Sequence, residues 1–241
     1  MLWQVRLCYV LKHILVYWGC LSSEITYIFL ENIETMPKQI RVLLFDLGGV
    51  LVELNDISTF LHLNGDEIPM NKLWSDWLSS PAARAFEMGI STKEQFADKY
   101  IEEMNLPIKR NDFLKAFTQL PKGLYPDAGR LIQRCRERYF TASLSNTNAL
   151  HWQRLTHEMG IDRMFDQHFA SHLTGKLKPD RESFEYVLQS LNCDPSAILF
   201  LDDNEINIKG ARSVGMIAYR AKGPQEAENI LEEIGILIPE F

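Results

Sequence analysis

A chain of 241 residues, 46% apolar and 24% charged, has the composition of a globular protein able to bury a sizeable core. Its net charge of −7 argues against a nucleic-acid binder, since no basic stripe meets phosphates, but not against a small phosphorylated ligand whose charge a local metal offsets. Cys8, Cys20, Cys135 and Cys193 show no C-x-x-C spacing, which suits a reducing cytoplasm rather than a disulfide scaffold or a zinc site.

The N-terminal stretch is rich in aromatic and aliphatic residues, with Arg6, Lys12 and His13 set inside it. Its uncharged run, Ile14 to Ser23, is about half the ~20 residues a spanning helix needs, and a secretory signal would carry its basic residues first. Residues 1–35 are therefore expected to form an extension outside the fold, an upstream start before Met36. A membrane-associating helix is the alternative, and a membrane role for the rest of the chain is not expected. "IRVLLFD" (40–46) follows as a continuous apolar run, the pattern of a strand buried on both faces of a parallel sheet.

From about Asp56 to Gly123 no strand is evident. Amphipathic helices are predicted instead in "MNKLWSDWLSS", "STKEQFADKYIEEMN" and "KRNDFLKAFTQL", with Ser91 and Glu94 as a capping box. Trp74, Trp77 and Phe86 are expected in the core of this helical insert. Beyond it, strands are predicted at 139–145, 197–202 and 216–220, with a weaker one at 165–171. Helices lie between them in "DAGRLIQRCRER", "ALHWQRLTHEMG", "DRESFEYVLQSL" and "EINIKGARSVG". Alternation of this kind predicts an α/β fold, a doubly wound parallel sheet. The domain reading is an α/β core of residues 36–55 and 124–241, with a helical cap over 56–123.

Ligands of open α/β sheets bind beyond the carboxyl ends of the strands. Those ends carry Asp46, then Ser145 and Asn146, then Asp202 and Asp203, while Lys176 and Lys178 lie in the loop "GKLKPD". Each residue alone has a simpler explanation, as helix cap, turn former or solvated lysine. For Lys176 the solvated reading is preferred. Two adjacent acids at a strand end are costly without a cation. His151, His157, His168 and His172 show no ligand spacing and are expected on the surface or in the core.

The order hhhD-x-G-G-V, hhhSN, K-P, hhhDD, with a helical insert after the first strand, resembles the haloacid dehalogenase superfamily (subfamily IA) across residues 40 to about 230. "FDLGGVL", "FEMGISTKEQF", "LSNTNALHW" and "GKLKPDRESFEYVL" are most similar to sugar phosphatases of the α-D-glucose-1-phosphate phosphatase type. The N-terminal phosphatase domain of soluble epoxide hydrolase is a near relative. The resemblance implies a Rossmannoid core and a cytoplasmic Mg²⁺-dependent phosphatase of a small phosphorylated metabolite, a sugar phosphate, acting through an aspartyl-phosphate. By that resemblance Asp46 is the nucleophile and a metal ligand, with Asp203, Asp202 and the Gly48 carbonyl as further ligands. Ser145, Asn146 and Lys178 would bind the phosphate, Lys178 also assisting catalysis. Asn207 matches a position that orients the site in relatives. Three carboxylates against Mg²⁺ and one lysine sum to about zero charge before substrate arrives.

One departure stands out: most phosphatases of the superfamily have D-x-D, the second acid acting as acid/base, and here that position is Gly48. The glucose-1-phosphate group shares the glycine. Two other readings stay open, a 2-haloacid dehalogenase-type hydrolase and a catalytically weak protein that binds a phosphorylated ligand.

Overall fold

The structure, a computed structural model, describes residues 40–55 and 76–239, and the expectations for residues 1–35 and Trp74 lie outside the described residues. In chain order the strands are β1 (Val42–Phe45), β2 (Val52–Leu54), β3 (Pro121–Leu124), β4 (Phe140–Ser145), β5 (Gln167–Ala170), β6 (Ile198–Asp202) and β7 (Ile217–Arg220). The helices are α1 (Pro81–Glu87), α2 (Lys93–Glu103), α3 (Arg110–Thr118), α4 (Ala128–Arg136), α5 (Ala149–His157), α6 (Ser171–Thr174), α7 (Arg181–Leu191), α8 (Glu205–Ser213) and α9 (Gly223–Glu233).

All four side chains of β1 are buried. Successive strand residues point to opposite faces. Leu43 and Phe45 accordingly join one apolar cluster, with Leu131 of α4, Leu155 of α5 and Leu231 of α9. Val42 and Leu44 join another, with Phe184 and Val187 of α7 and Ile208 and Ala211 of α8. A strand covered on both sides belongs at the centre of a parallel sheet. The order is β5-β4-β1-β6-β7, parallel throughout, with helices on both faces. This is the doubly wound α/β architecture expected of the sequence, and the weak pattern at 165–171 does supply its edge strand.

Helices α1 to α3 pack on one another rather than on the sheet. Trp77, Phe86, Phe96, Tyr100, Phe113 and Phe117 form a third buried cluster, in which Phe86 and Phe96 stack with ring centroids 4.5 Å apart. Trp77 and Phe86 are thus core residues of the helical segment.

Two expectations need correcting. The interval 56–123 is not strand-free, because Pro121–Leu124 forms β3, antiparallel to β2. It begins with proline and carries a single large apolar residue, so it lacks the apolar run of a sheet strand; a proline is tolerated at a strand's first position. Its pairing is fixed by Lys122 Nζ, 2.7 Å from Glu53, and by backbone bonds flanking the ribbon. The capping box of α2 also lies one residue later than expected. The Thr92 hydroxyl accepts from Gln95 N, and the Gln95 side chain accepts from Thr92 N. Ser91 is held back by its own backbone bond to Ala85 O, which leaves Thr92 at the helix start.

Candidate active site

Phe45 pairs with Ser143 on one side and Leu201 on the other, so three strands leave the sheet at nearly the same level. Asp46 follows β1, Ser145 closes β4 and Asp202 closes β6, with Asp203 next. Asp46, Asp202 and Asp203 each offer a carboxylate oxygen within 4.8 Å of the others. Lys178 reaches in from the loop before α7: its Nζ lies 2.9 Å from Asp46 Oδ1 and 2.7 Å from Asp202 Oδ2. Its side chain is 1% exposed.

Each member is held by neighbours. Asp46 accepts from Leu47 N at 2.6 Å through the oxygen that also meets Lys178. Asp202 accepts from Asn204 N at 2.8 Å, and Asn207 Nδ2 lies 3.0 Å from both its oxygens. With Lys178 added, that carboxylate is surrounded by donors. Asn207 therefore holds the Asp202 carboxylate in place. Asn146 donates to Lys178 O at 2.8 Å and accepts from Lys178 N at 2.9 Å. Its side-chain amide thus clamps the lysine loop, which bears on the expectation that it binds phosphate: the side chain's observed contacts are with the protein. Among the described residues Ser145 has only a long 3.5 Å contact to Asn146 O, and it lines the cleft. Lys176 sits outside, paired with Glu182 at 3.3 Å.

The two glycines after β1 differ in kind. Gly49 has φ +74°, and a Cβ there would meet Asp203 Oδ2 at 2.4 Å, so both its backbone and its neighbour require glycine. Gly48 bridges Val52 and has no such restriction; a Cβ on it would make ordinary contact with Leu54 at 3.5 Å.

Electrostatically the cluster carries more negative than positive charge. Burial, reinforced by Asp202 and Asp203, pushes the Asp46 carboxyl above the usual carboxylate range against the pull of Lys178. Burial and then Asp202 raise Asp203 to about 6. Burial opposes the charge on Lys178, but Asp202 and Asp46 outweigh it and hold the ammonium above the ordinary lysine value. Three carboxylates against one ammonium leave an excess of negative charge in a largely buried place. An all-oxygen donor set of that kind suits a hard divalent cation.

A cleft of about 640 Å³ opens over these residues, walled by Leu47, Val52 and Leu54 on the core side and by Trp77, Leu78 and Glu87 on the helical side. His151 lines it too, but both ring nitrogens are engaged, Nε2 with Phe117 O at 2.7 Å and Nδ1 with Asn148 at 3.1 Å. His168 and His172 pack against Trp152. Sequence reasoning missed Glu87. Its signal was an acid four residues after Ala83 and next to Phe86, on the apolar face of α1.

A parallel sheet with an acidic cluster and a buried lysine at its carboxyl edge, overlooked by a helical segment, defines a Rossmannoid hydrolase with a carboxylate at its centre. The chain belongs to the haloacid dehalogenase-like hydrolases, whose family pattern matches residues 40–215. It is similar to mouse acyl-CoA dehydrogenase family member 10, 27% identical over 82% of this chain, and spans about a fifth (19%) of that protein's length. It is 28% identical to the sesquiterpene phosphatase astK of Aspergillus oryzae, over 76% of this chain and 90% of that one. Among solved structures it resembles a family enzyme from Bacteroides thetaiotaomicron in complex with magnesium and inorganic phosphate. The TM-score is 0.63 and the identity 26%, over 76% of this chain and 94% of the other. Among the described residues no helix is long and apolar enough to cross a membrane.

Proposed function

We propose that the protein is a Mg²⁺-dependent phosphatase of a small phosphorylated metabolite, a sugar phosphate, acting in the cytoplasm through an aspartyl-phosphate on Asp46. The observation that carries this reading is the convergence of Asp46, Asp202 and Asp203 within 4.8 Å beside the buried Lys178. The phosphatase named among its relatives and the neighbour holding magnesium and phosphate support it.

Asp46 Oδ2, the oxygen not bonded to Leu47 N or Lys178, is the atom available to attack phosphorus. The phosphoryl oxygens then face Lys178 Nζ and the Ser145 hydroxyl, donors positioned where negative charge spreads in the transition state. Asp46, Asp203 and the Gly48 carbonyl would hold Mg²⁺, with Asp202 assisting, and the ion when bound offsets the charge between carboxylate and phosphate dianion. Asp202 sets the position of Lys178, and Asn207 sets that of Asp202. The helical segment over 56–123 serves in this reading as a cap that excludes water from the cleft.

Hydrolysis of p-nitrophenyl phosphate with and without Mg²⁺ tests the proposal. Turnover should require the metal and fall to background in Asp46→Asn. Halide release from 2-chloropropionate without metal would instead establish a dehalogenase. Binding of phosphate and Mg²⁺ with no turnover of any ester would establish a binding protein.

A further inference from the structure

Transfer of a phosphoryl group from an alkyl ester needs a proton for the departing oxygen and later a base for water. This inference rests on the phosphatase reading. Among the described residues the ionisable groups lining the cleft are few: Asp46, Lys178, Asp203, His151, Glu205 and Glu87. Asp46 is the attacking group, Lys178 is paired with two carboxylates, and Asp203 belongs to the cation cluster. His151 has both nitrogens bonded, and Glu205 is exposed at the rim. Gly48 has no side chain. Glu87 remains.

Glu87 ends α1 and is buried at 8% exposure. Trp77 Nε1 donates to its Oε1 at 3.2 Å, and among the described residues its Oε2 has no hydrogen-bond partner. The carboxyl is thus oriented by one fixed donor and free at the other oxygen, in the wall of the cleft that holds Asp46. Lys178 across the cleft and Arg84 on α1, itself paired with Asp180, are the cations that act on it. From the elements packed against α1, Glu103 of α2 bonds Ser80 at the helix's far end, and His172 of α6 lies under Gly89. Burial outweighs the Trp77 bond and the two cations and lifts Glu87 to about 7, so near neutral pH both protonation states are populated.

We propose that Glu87, from the helical segment, is the acid/base of this phosphatase, replacing the side chain absent at Gly48. In the first step Asp46 bonds phosphorus while the P–O bond to the alcohol breaks, and the Glu87 proton passes to the departing oxygen to give the free alcohol. In the second, the Glu87 carboxylate takes a proton from water as the water oxygen bonds phosphorus. The P–O bond to Asp46 breaks, inorganic phosphate leaves, and both side chains return to their starting states.

The test compares full-length wild type and Glu87→Gln, which keeps an oxygen for Trp77, on p-nitrophenyl phosphate and an alkyl phosphate. Nitrophenolate leaves without a proton, so kcat/KM for that ester should fall less than about tenfold, whereas the alkyl ester should lose on the order of 10²–10⁴-fold. The variant should also release one equivalent of nitrophenolate per enzyme in a burst before slow turnover, because the second step has lost its base. An equal loss on both esters would make Glu87 structural and overturn the proposal, as would no loss on either. A measurement on wild type alone guards against a variant that fails to fold. Its kcat/KM should depend only weakly on leaving-group pKa, and a steep dependence shows that no acid acts. Absence of Mg²⁺-dependent turnover in wild type overturns the phosphatase reading itself; the ester contrast overturns only the role of Glu87.

Discussion

His151 is neutral in the folded protein because burial outweighs everything else around it, drawing its pKa from 6.5 to about 4. The unfolded histidine takes up a proton near 6.5 and the folded one only near 4. Between those values the unfolded state binds more protons, so stability rises with pH across that window and is lost as pH falls through it. The contribution is roughly 3 kcal/mol at neutral pH. Urea unfolding at pH 7 and pH 4.5 should show that loss in wild type and a shallower one in His151→Gln; identical slopes would refute the assignment. The same imidazole ties α5 to the end of α3 through Phe117 O, a bond the imidazolium keeps, whereas protonation at Nδ1 would remove its acceptance from Asn148. Nothing in the sequence marks this: a histidine without ligand spacing gives no hint of which carbonyl it will meet. Asp46, Lys178 and the Asp202-Asp203 pair were legible because strand ends and short loops fix their side chains. Glu87 was not, since burial of a helical carboxylate depends on tertiary packing.

Among the elements, the helical segment depends most on a single kind of contact. Phe96 is fully buried and meets Trp77, Phe86, Tyr100, Phe113 and Phe117 at ring-centroid distances of 4.5 to 6.0 Å. Phe96→Ala should therefore cost about 3–5 kcal/mol. The chevron or urea midpoint of the variant checks this, and a loss under 1 kcal/mol would mean that the cluster repacks. The central strands were readable from unbroken apolar runs and the helices of the core from their period. β3 was not, because a short ribbon strand pairs through its backbone and needs no apolar pattern. The offset of the capping box has a similar cause: Ser91-x-x-Glu94 and Thr92-x-x-Gln95 are both acceptable sequences, and the preceding turn chooses between them.

At the scale of the whole molecule, the acidic edge of the sheet is a charge imbalance built into the fold. A ligand that binds only the folded state stabilises it by mass action, about 2.7 kcal/mol at a hundredfold excess over Kd. Mg²⁺ should accordingly raise the melting temperature by several degrees in wild type, Ca²⁺-free buffer being the control, and by much less in Asp203→Asn. An equal shift in both proteins would place the ion elsewhere. The imbalance also bears on how the molecule assembles. β1 is flanked by strands that follow it by about a hundred residues and by more than a hundred and fifty. Its partners arrive late, and loop closure over such spans is slow. During synthesis Asp46 emerges early and waits, without Lys178 or Asp202, until nearly the whole chain has followed. The cluster of three acids and one lysine is therefore among the last features the growing chain completes, and a truncated product ending before β6 would lack it altogether.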